Sequence, residues 1–229
     1  LQKNATSQLW GISDLTAIEV YPGYPQNVTG MITESDIKKI DDAAIANIQA
    51  VPGVKEVVIY DYYRGPLNAT YGRLEAYLSL TGVNIDDLAR MGLEAKQGVT
   101  TLARGKVVIG SWVPRNFYNP QQRPNDPPPE VPDLMGKTIK VVLSKWSSDG
   151  IESKKTVMLE VVGVLKETRG QADGSVFISF SELNAWNEWN MGKKIDRRKE
   201  GYQQLLVKAE DPKKTTEITQ AINDLGFQA

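Results

Sequence analysis

From Thr16 to Tyr21 apolar and polar side chains alternate, with Ile18 and Val20 on one side. A period of two predicts a strand with one buried face. Pro22-Gly23-Tyr24-Pro25 ends it, because proline fixes φ and lacks the donor that a ladder needs. The period then lengthens: Ile37, Ile40, Ala44, Ile48 and Val51 recur at steps of three and four, one stripe of an amphipathic helix. Thr33 with Asp36 makes an approximate capping box at its start, and Pro52-Gly53 stops it. Val54 to Tyr63 is β-branched and aromatic. In Tyr71 to Leu80, Leu74, Ala76, Leu78 and Leu80 alternate with Arg73, Glu75, Tyr77 and Ser79, so the order up to residue 80 reads β-α-β-β.

The middle has a different texture. A short helix from about Ile85 to Met91 leads through Gly98 to a strand at Lys106–Ile109. Pro120, Pro124, Pro127, Pro128, Pro129 and Pro132 then exclude both ladder and helix, which predicts an extended, polyproline-like surface loop. Strands at Thr138–Leu143 and Thr156–Leu165 flank the polar turn Ser147-Ser148-Asp149-Gly150, the pattern of a hairpin. Beyond it, Val176–Phe180 reads as a strand and Ser181 as the cap of a helix carrying Leu183, Trp186 and Trp189. A basic, turn-rich stretch, Lys193 to Lys199, leads to a strand at Tyr202–Ala209. Asp211-Pro212 places a cap residue and an N1 proline at the start of a last helix, whose Ile218, Ile222 and Leu225 face one side and whose C′ residue is Gly226. Two α/β segments, 1–80 and 171–229, thus bracket a β-rich insert at 81–170, an α+β fold with one discontinuous domain.

Composition narrows the chemistry. The 229 residues, 41% hydrophobic, are enough to bury a sizeable core. Lys and Arg number 27 against 28 Asp and Glu, a formal net charge of −1, and the missing cationic excess argues against nucleic acid as a partner. Histidine and cysteine are absent, so Ser-His-Asp and Cys-His nucleophiles, imidazole or thiolate zinc sites, Cys-ligated clusters, His-ligated haem and disulfides are excluded. Carboxylates, lysines and hydroxyls remain. Asp41-Asp42 falls on the exposed side of the predicted first helix, and Asp86-Asp87 at a helix start, where the macrodipole accounts for acidic residues. Gly136-Lys137-Thr138 is not a phosphate loop: Val131 stands where the first glycine is required, and a strand follows. No catalytic residue, metal or cofactor is predicted.

The aromatic residues offer binding chemistry instead. Tyr60, Tyr62 and Tyr63 lie on a strand; Trp186 and Trp189, three apart on a helix, first suggest a packed face. Trp112, Phe117 and Tyr118 stand beside the proline loop, where aromatic anchors next to a stiff segment suit protein recognition. The partner-binding candidates are therefore Trp112, Phe117, Tyr118, Trp186 and Trp189. Lys193, Lys194, Arg197, Arg198 and Lys199 read as a solvated loop, with an anionic lipid or envelope polymer as the alternative contact. The triplets at Asn4, Asn27 and Asn68 fit the N-glycosylation pattern but are too common to carry weight. No stretch reaches the roughly 20 apolar residues of a membrane span; the longest run is of the order of Val161–Leu165. The start at Leu1 and a new element beginning at Phe227 suggest a piece cut from a longer chain.

Several motifs, in this order and spacing, resemble the extracytoplasmic domain of MacB-like ABC transporter permeases, whose permease fold is also called FtsX-like. They are Thr33-Glu34-Ser35-Asp36 leading to Val51-Pro52-Gly53-Val54, Leu78-Ser79-Leu80-Thr81-Gly82-Val83, and Lys106-Val107-Val108-Ile109-Gly110. Met135-Gly136-Lys137-Thr138-Ile139 is followed by Val161-Val162-Gly163-Val164-Leu165, and the ending runs from Val207-Lys208 through Asp211-Pro212 to Gly226-Phe227. The proline loop at 120–132 and the Trp186/Trp189 helix depart from the family pattern. The resemblance implies a domain between the first and second of four transmembrane helices, on the outer side of the cell membrane. It implies a porter-like subdomain from both chain ends, 1–80 and 171–229, with an inserted Sabre-like subdomain at 81–170. It also implies a non-catalytic role in export or release of a cargo, with ATP hydrolysed on a separate subunit or domain. The implied partners are that ATPase, a second permease copy and, in many relatives, a periplasmic adaptor protein. The alternative is a secreted carbohydrate- or peptide-binding module using its exposed aromatics.

Overall fold

The computed structural model describes residues 15–25 and 36–229, and the fold is α+β. In chain order the elements are β1 (Ala17–Val20), α1 (Asp42–Gln49), β2 (Val54–Tyr62), β3 (Leu67–Tyr71), β4 (Leu74–Ala76), β5 (Ser79–Val83), α2 (Asp87–Arg90), β6 (Ala95–Gly98) and β7 (Lys106–Ile109). There follow β8 (Thr138–Trp146), β9 (Glu152–Leu165), β10 (Ser175–Ser179), α3 (Phe180–Met191), α4 (Arg197–Glu200), β11 (Gln204–Ala209) and α5 (Thr215–Asp224). The chain divides into two compact units: residues 1–61 with 194–229, and residues 62–193.

In the first unit β11 runs antiparallel to both β1 and β2, with Val207 opposite Ile18 and Val57. Ile18, Val20, Val57, Leu205 and Val207 meet Ala44 and Ile48 of α1 and Ile218 and Ile222 of α5 in one core. Asp41 caps α1 by accepting from Ala44 N at 2.8 Å. The helix starts at Asp42, later than the apolar stripe suggested; Thr33 lies outside the described residues. Ile37 and Ile40 precede it outside the helix, because Gly23 and Lys38 exchange backbone hydrogen bonds and Tyr202 N donates to Ile40 O. Ile40 is nevertheless fully buried. At the other end Asp211 accepts from Lys213 N at 2.9 Å, and Gly226 at φ +88° turns the chain so that Gln228 pairs with Tyr21.

The second unit is one sheet in the order β5-β10-β7-β9-β8-β3-β4, with β6 added on β9. β10 pairs in parallel with β5 and antiparallel with β7, and all five of its residues are buried. The predicted hairpin is present and longer than the sequence suggested: β8 and β9 pair from Thr138 opposite Glu160 to Trp146 opposite Glu152. Ile139, Val141, Leu143, Leu159 and Val161 face the core, which α3 completes with Leu183 and Trp186. The helix lies close to the sheet because Gly82 has no side chain; a Cβ there would sit 2.6 Å from the Leu183 side chain. Gly110 is tighter still, with Ala172 O 2.0 Å from where its Cβ would be. The segment leading into β10 is tied down by the fully buried Asp173, whose Oδ1 accepts from Thr168 N at 2.9 Å and Ser111 Oγ at 3.0 Å.

Several elements differ from the sequence reading. Tyr71–Leu80 is not one strand: Gly72 at φ +60° turns β3 back into β4, and β5 starts afresh at Ser79. The apolar alternation survives, with Ala76, Leu78 and Leu80 buried. β6 was missed because Ala95-Lys96-Gln97-Gly98 has no apolar alternation. Helix α3 begins at Phe180, with Ser179 rather than Ser181 in the cap position and its hydroxyl donating to Glu182 Oε2 at 2.9 Å. The compact units join at 61/62 and 193/194, whereas the change of texture lay at 80/81 and 170/171. Strands β5 and β10 explain the difference: they pair with each other, and β10 pairs with β7 of the insert.

Asn187 of α3 is fully buried and closes the end of the second unit, donating from Nδ2 to Tyr62 O at 2.9 Å while Oδ1 accepts from Arg64 N at 3.0 Å. Asn187→Ala strands both backbone groups and is expected to cost about 2 to 4 kcal/mol in urea unfolding. A loss below about 1 kcal/mol would refute this role. Near it, burial pushes the Tyr63 phenol up from 10.0 to about 12, and its hydroxyl has no hydrogen-bond partner among the described residues. The unfolded chain ionises first, so this contribution is complete below pH 10 and is lost as pH rises toward 12. Tyr63→Phe should be no less stable at neutral pH and should show a smaller alkaline loss in thermal melts.

Candidate functional site

Tyr118 leaves the short 3-10 turn at Val113–Asn116 and joins β4: its N–H donates to Glu75 O and its carbonyl accepts from Glu75 N, both at 2.9 Å. The ring stacks on Tyr77 with centroids 6.4 Å apart and planes 20° from parallel. Tyr77 is 73% exposed and Tyr118 37%. Desolvation, then the hydrogen bond with the Tyr77 hydroxyl and the charge of Glu75, hold the Tyr118 phenol above its ordinary range. Tyr77 was not singled out in the sequence, although it sits in the outward phase of the alternation there.

The five aromatic candidates do not form one surface. Trp112 is partly exposed, with its N–H donating to Asp173 O at 2.8 Å. Phe117 and Trp186 are corrections to the sequence reading as contact residues. Each is about 5% exposed or less and belongs to the core of the second unit, so neither offers a face to a partner. Phe117 is turned inward by the 3-10 turn before it, and Trp186 lies on the packed side of α3. Trp189 packs at the margin of the same core, where the Lys145 ammonium lies 4.8 Å from its ring and donates to Trp189 O at 2.9 Å.

Several of the remaining polar groups are engaged structurally. Asp42 accepts from the Tyr202 hydroxyl at 3.1 Å, and Asp87, almost fully buried, accepts from Asn84 at 2.8 Å and Arg90 at 2.7 Å. Arg197 of the basic stretch pairs with buried Asp61 at 3.2 Å and donates to Gly201 O at 3.1 Å. Lys39 donates to Lys199 O, and Lys193 and Lys194 also have partners. In the second unit a cavity of about 640 Å³ is bounded by Asn84, Asp87, Arg90 and Ser179, and another of about 420 Å³ by Ile85, Arg104, Lys155, Glu182 and Trp186. Glu182 is committed to Gly105 N and the Ser179 hydroxyl at 2.9 Å each. Among the described residues no group of three acidic side chains could hold a metal ion.

The proline loop is present as expected. Residues 120–132 contain neither helix nor strand and are almost entirely exposed. Its first half is folded on itself, with Gln122 N donating to Asn119 O at 3.1 Å and Arg123 N to Asp126 Oδ2 at 2.9 Å. From Pro127 to Leu134 the chain continues with no turn.

The model of the MacB-like periplasmic core domain matches residues 1–225. The chain belongs to that family. The extracellular domain of the noncanonic ABC-type transporter YknZ from Gram-positive bacteria is similar in structure, with a TM-score of 0.52 at 17% identity over 93% of this chain and 98% of that one. The periplasmic region of MacB from Actinobacillus actinomycetemcomitans gives 0.49 at 15% identity, over 93% of this chain and 86% of that one. No curated protein matches the chain. The likeness to the YknZ domain speaks to fold; the family places the chain as the non-catalytic periplasmic domain of a MacB-like ABC transporter permease. Among the described residues no helix is long and apolar enough to cross a membrane.

The two kinds of aromatic separate under mutation. Trp186→Ala is expected to cost about 3 to 5 kcal/mol in urea unfolding, as for a large buried side chain. Tyr77→Ser should stay within about 0.5 kcal/mol of the parent. Equal losses would contradict the division into core and surface.

Proposed function

We propose that this domain couples ATP-driven motion of a permease's transmembrane helices to export or release of a cargo outside the membrane, with ATP hydrolysed on a separate nucleotide-binding subunit or domain. The observation that carries the reading is connectivity. The segments before residue 62 and after residue 193 build one compact unit, and residues 62–193 are inserted into it through two covalent crossings. In a permease with this domain between its first two membrane helices, both helices would act on the same rigid unit, and a displacement would pass to the insert through both crossings. We read the first unit as the porter-like subdomain and the second as the Sabre-like one. The ATPase, a second permease copy and a periplasmic adaptor protein are the partners this reading expects, and Trp112, Tyr118 and the proline loop are the surface it offers to those outside the membrane.

The exposed Tyr77–Tyr118 stack favours one competing reading, a secreted carbohydrate- or peptide-binding module. The parent reading frame separates the two. An apolar segment of roughly 20 residues before Leu1, another after Ala229 and two more downstream are expected for the permease; a stop after Ala229 with a secretion signal upstream would overturn it. In the full transporter, deleting 120–132 should lower partner binding and export. Unchanged values would remove the loop from the mechanism.

A further inference from the structure

Strand β9 outruns one of its neighbours. It pairs with β8 all the way from Glu152 to Glu160, but on its other side β7 begins only at Lys106, opposite Glu160. In an antiparallel ladder alternate residues turn their N–H and C=O toward the partner, and the rest turn theirs away. Two hydrogen bonds fix the phase. Ser147 N donates to Ile151 O at 3.0 Å across the hairpin, and Glu160 N donates to Gly105 O at 2.9 Å on the far side. Glu152, Lys154, Thr156 and Met158 share the phase of Glu160, so their backbone groups point away from β8. None of these groups has a hydrogen-bond partner among the described residues.

The cavity of about 420 Å³ adjoins this open edge. Leu159 faces the core, so Lys155 lies on the same face of β9, the face that α3 covers, and it borders the cavity. Ser181, Glu182 and Ala185 border it from α3, and Arg104 from the turn into β7. Because β7 lies between β9 and β10, and α3 follows β10 directly, the cavity continues the line of β7 beyond its first residue. Arg104 is exposed and Lys155 half-buried, and neither has an ion pair among the described residues. The twelve-residue α3 turns its positive end to the same space. Glu182, the one carboxylate on the lining, is already held by Gly105 N and the Ser179 hydroxyl. Lys154, a charge of the kind that guards an edge, is paired with Glu152 at 3.1 Å on the opposite face of the strand.

We propose that the open edge of β9, Glu152–Met158, takes an extended segment of another protein as an added strand, with an acidic side chain of that segment reaching Arg104 and Lys155. The backbone ladder supplies affinity whatever the sequence, and the two unpaired cations select an acidic partner. The inference is independent of whether the domain belongs to a permease.

Amide exchange in the 229-residue chain reads the edge directly. Without any peptide, the amides of Lys154, Thr156 and Met158 should exchange at least tenfold faster than those of Ser153, Lys155 and Val157. The probe is an eight-residue peptide of alternating threonine and valine with two glutamates substituted in, at about 1 mM. It should slow the fast set at least tenfold and shift the Arg104 and Lys155 resonances. Its lysine counterpart should bind at least tenfold more weakly, and Arg104→Gln/Lys155→Gln should abolish that preference. A fully N-methylated glutamate peptide keeps its charge, lacks every backbone donor and should bind at least tenfold more weakly. Equal exchange of the two amide sets, no binding of the glutamate peptide, or undiminished binding of the N-methylated one overturns strand addition. Equal binding of the glutamate and lysine peptides overturns the role of the two cations. Slowing that grows with the domain's own concentration assigns the edge to a second copy, and overturns the proposal as well. None of these results bears on the membrane segments flanking the domain, so the two readings fail separately.

Discussion

The second unit depends on the close approach of backbone around β10. That strand joins residues far apart in the chain, with β5 on one side and β7 on the other, and it is buried along its whole length. Two glycines make the geometry available. Gly82 lets α3 settle onto β5, and Gly110 lets the carbonyls of Ala172 and Asp173 pass against the end of β7. A methyl group at either position would displace a helix or a loop rather than a flexible side chain. Asp173 complements this by turning the polar groups of the loop entering β10 inward to a carboxylate. The aromatic platform and proline loop are carried on this frame.

Legibility in the sequence followed the source of each signal. β7 was readable to the residue because Lys106-Val107-Val108-Ile109 is a β-branched run bounded by glycines. The start of the C-terminal helical region was equally clear, since Asp211 and Pro212 act locally through the capped backbone. Where tertiary contacts decide, the pattern misled. Ile37 and Ile40 fit the helical stripe, yet bridges from Gly23 to Lys38 and from Tyr202 to Ile40 keep this segment out of the helix, and Ile40 is buried all the same. Burial alone produced the period; hydrogen bonding chose the conformation.

The candidate surface shows the same division. Trp186 and Trp189 at helical spacing correctly suggested a packed face, whereas the neighbourhood of the proline loop drew Phe117 into the contact set although its side chain points into the core. Tyr77 was hidden for the opposite reason. Its exposure was implied by alternation, but its meaning depends on Tyr118, which is distant in sequence and arrives by a single antiparallel bridge to Glu75. Pairings of that kind leave no periodic trace.

The central strand of the first unit is also its last: β1 and β2 both pair with β11, and neither pairs with the other. During synthesis the N-terminal strands therefore leave the ribosome long before their shared partner exists, while residues 62–193 form a continuous unit that can close on itself first. Until β11 is made, β1 lacks the strand it pairs with. The order of translation thus leaves the N-terminal strand without its partner until almost the whole chain has been made.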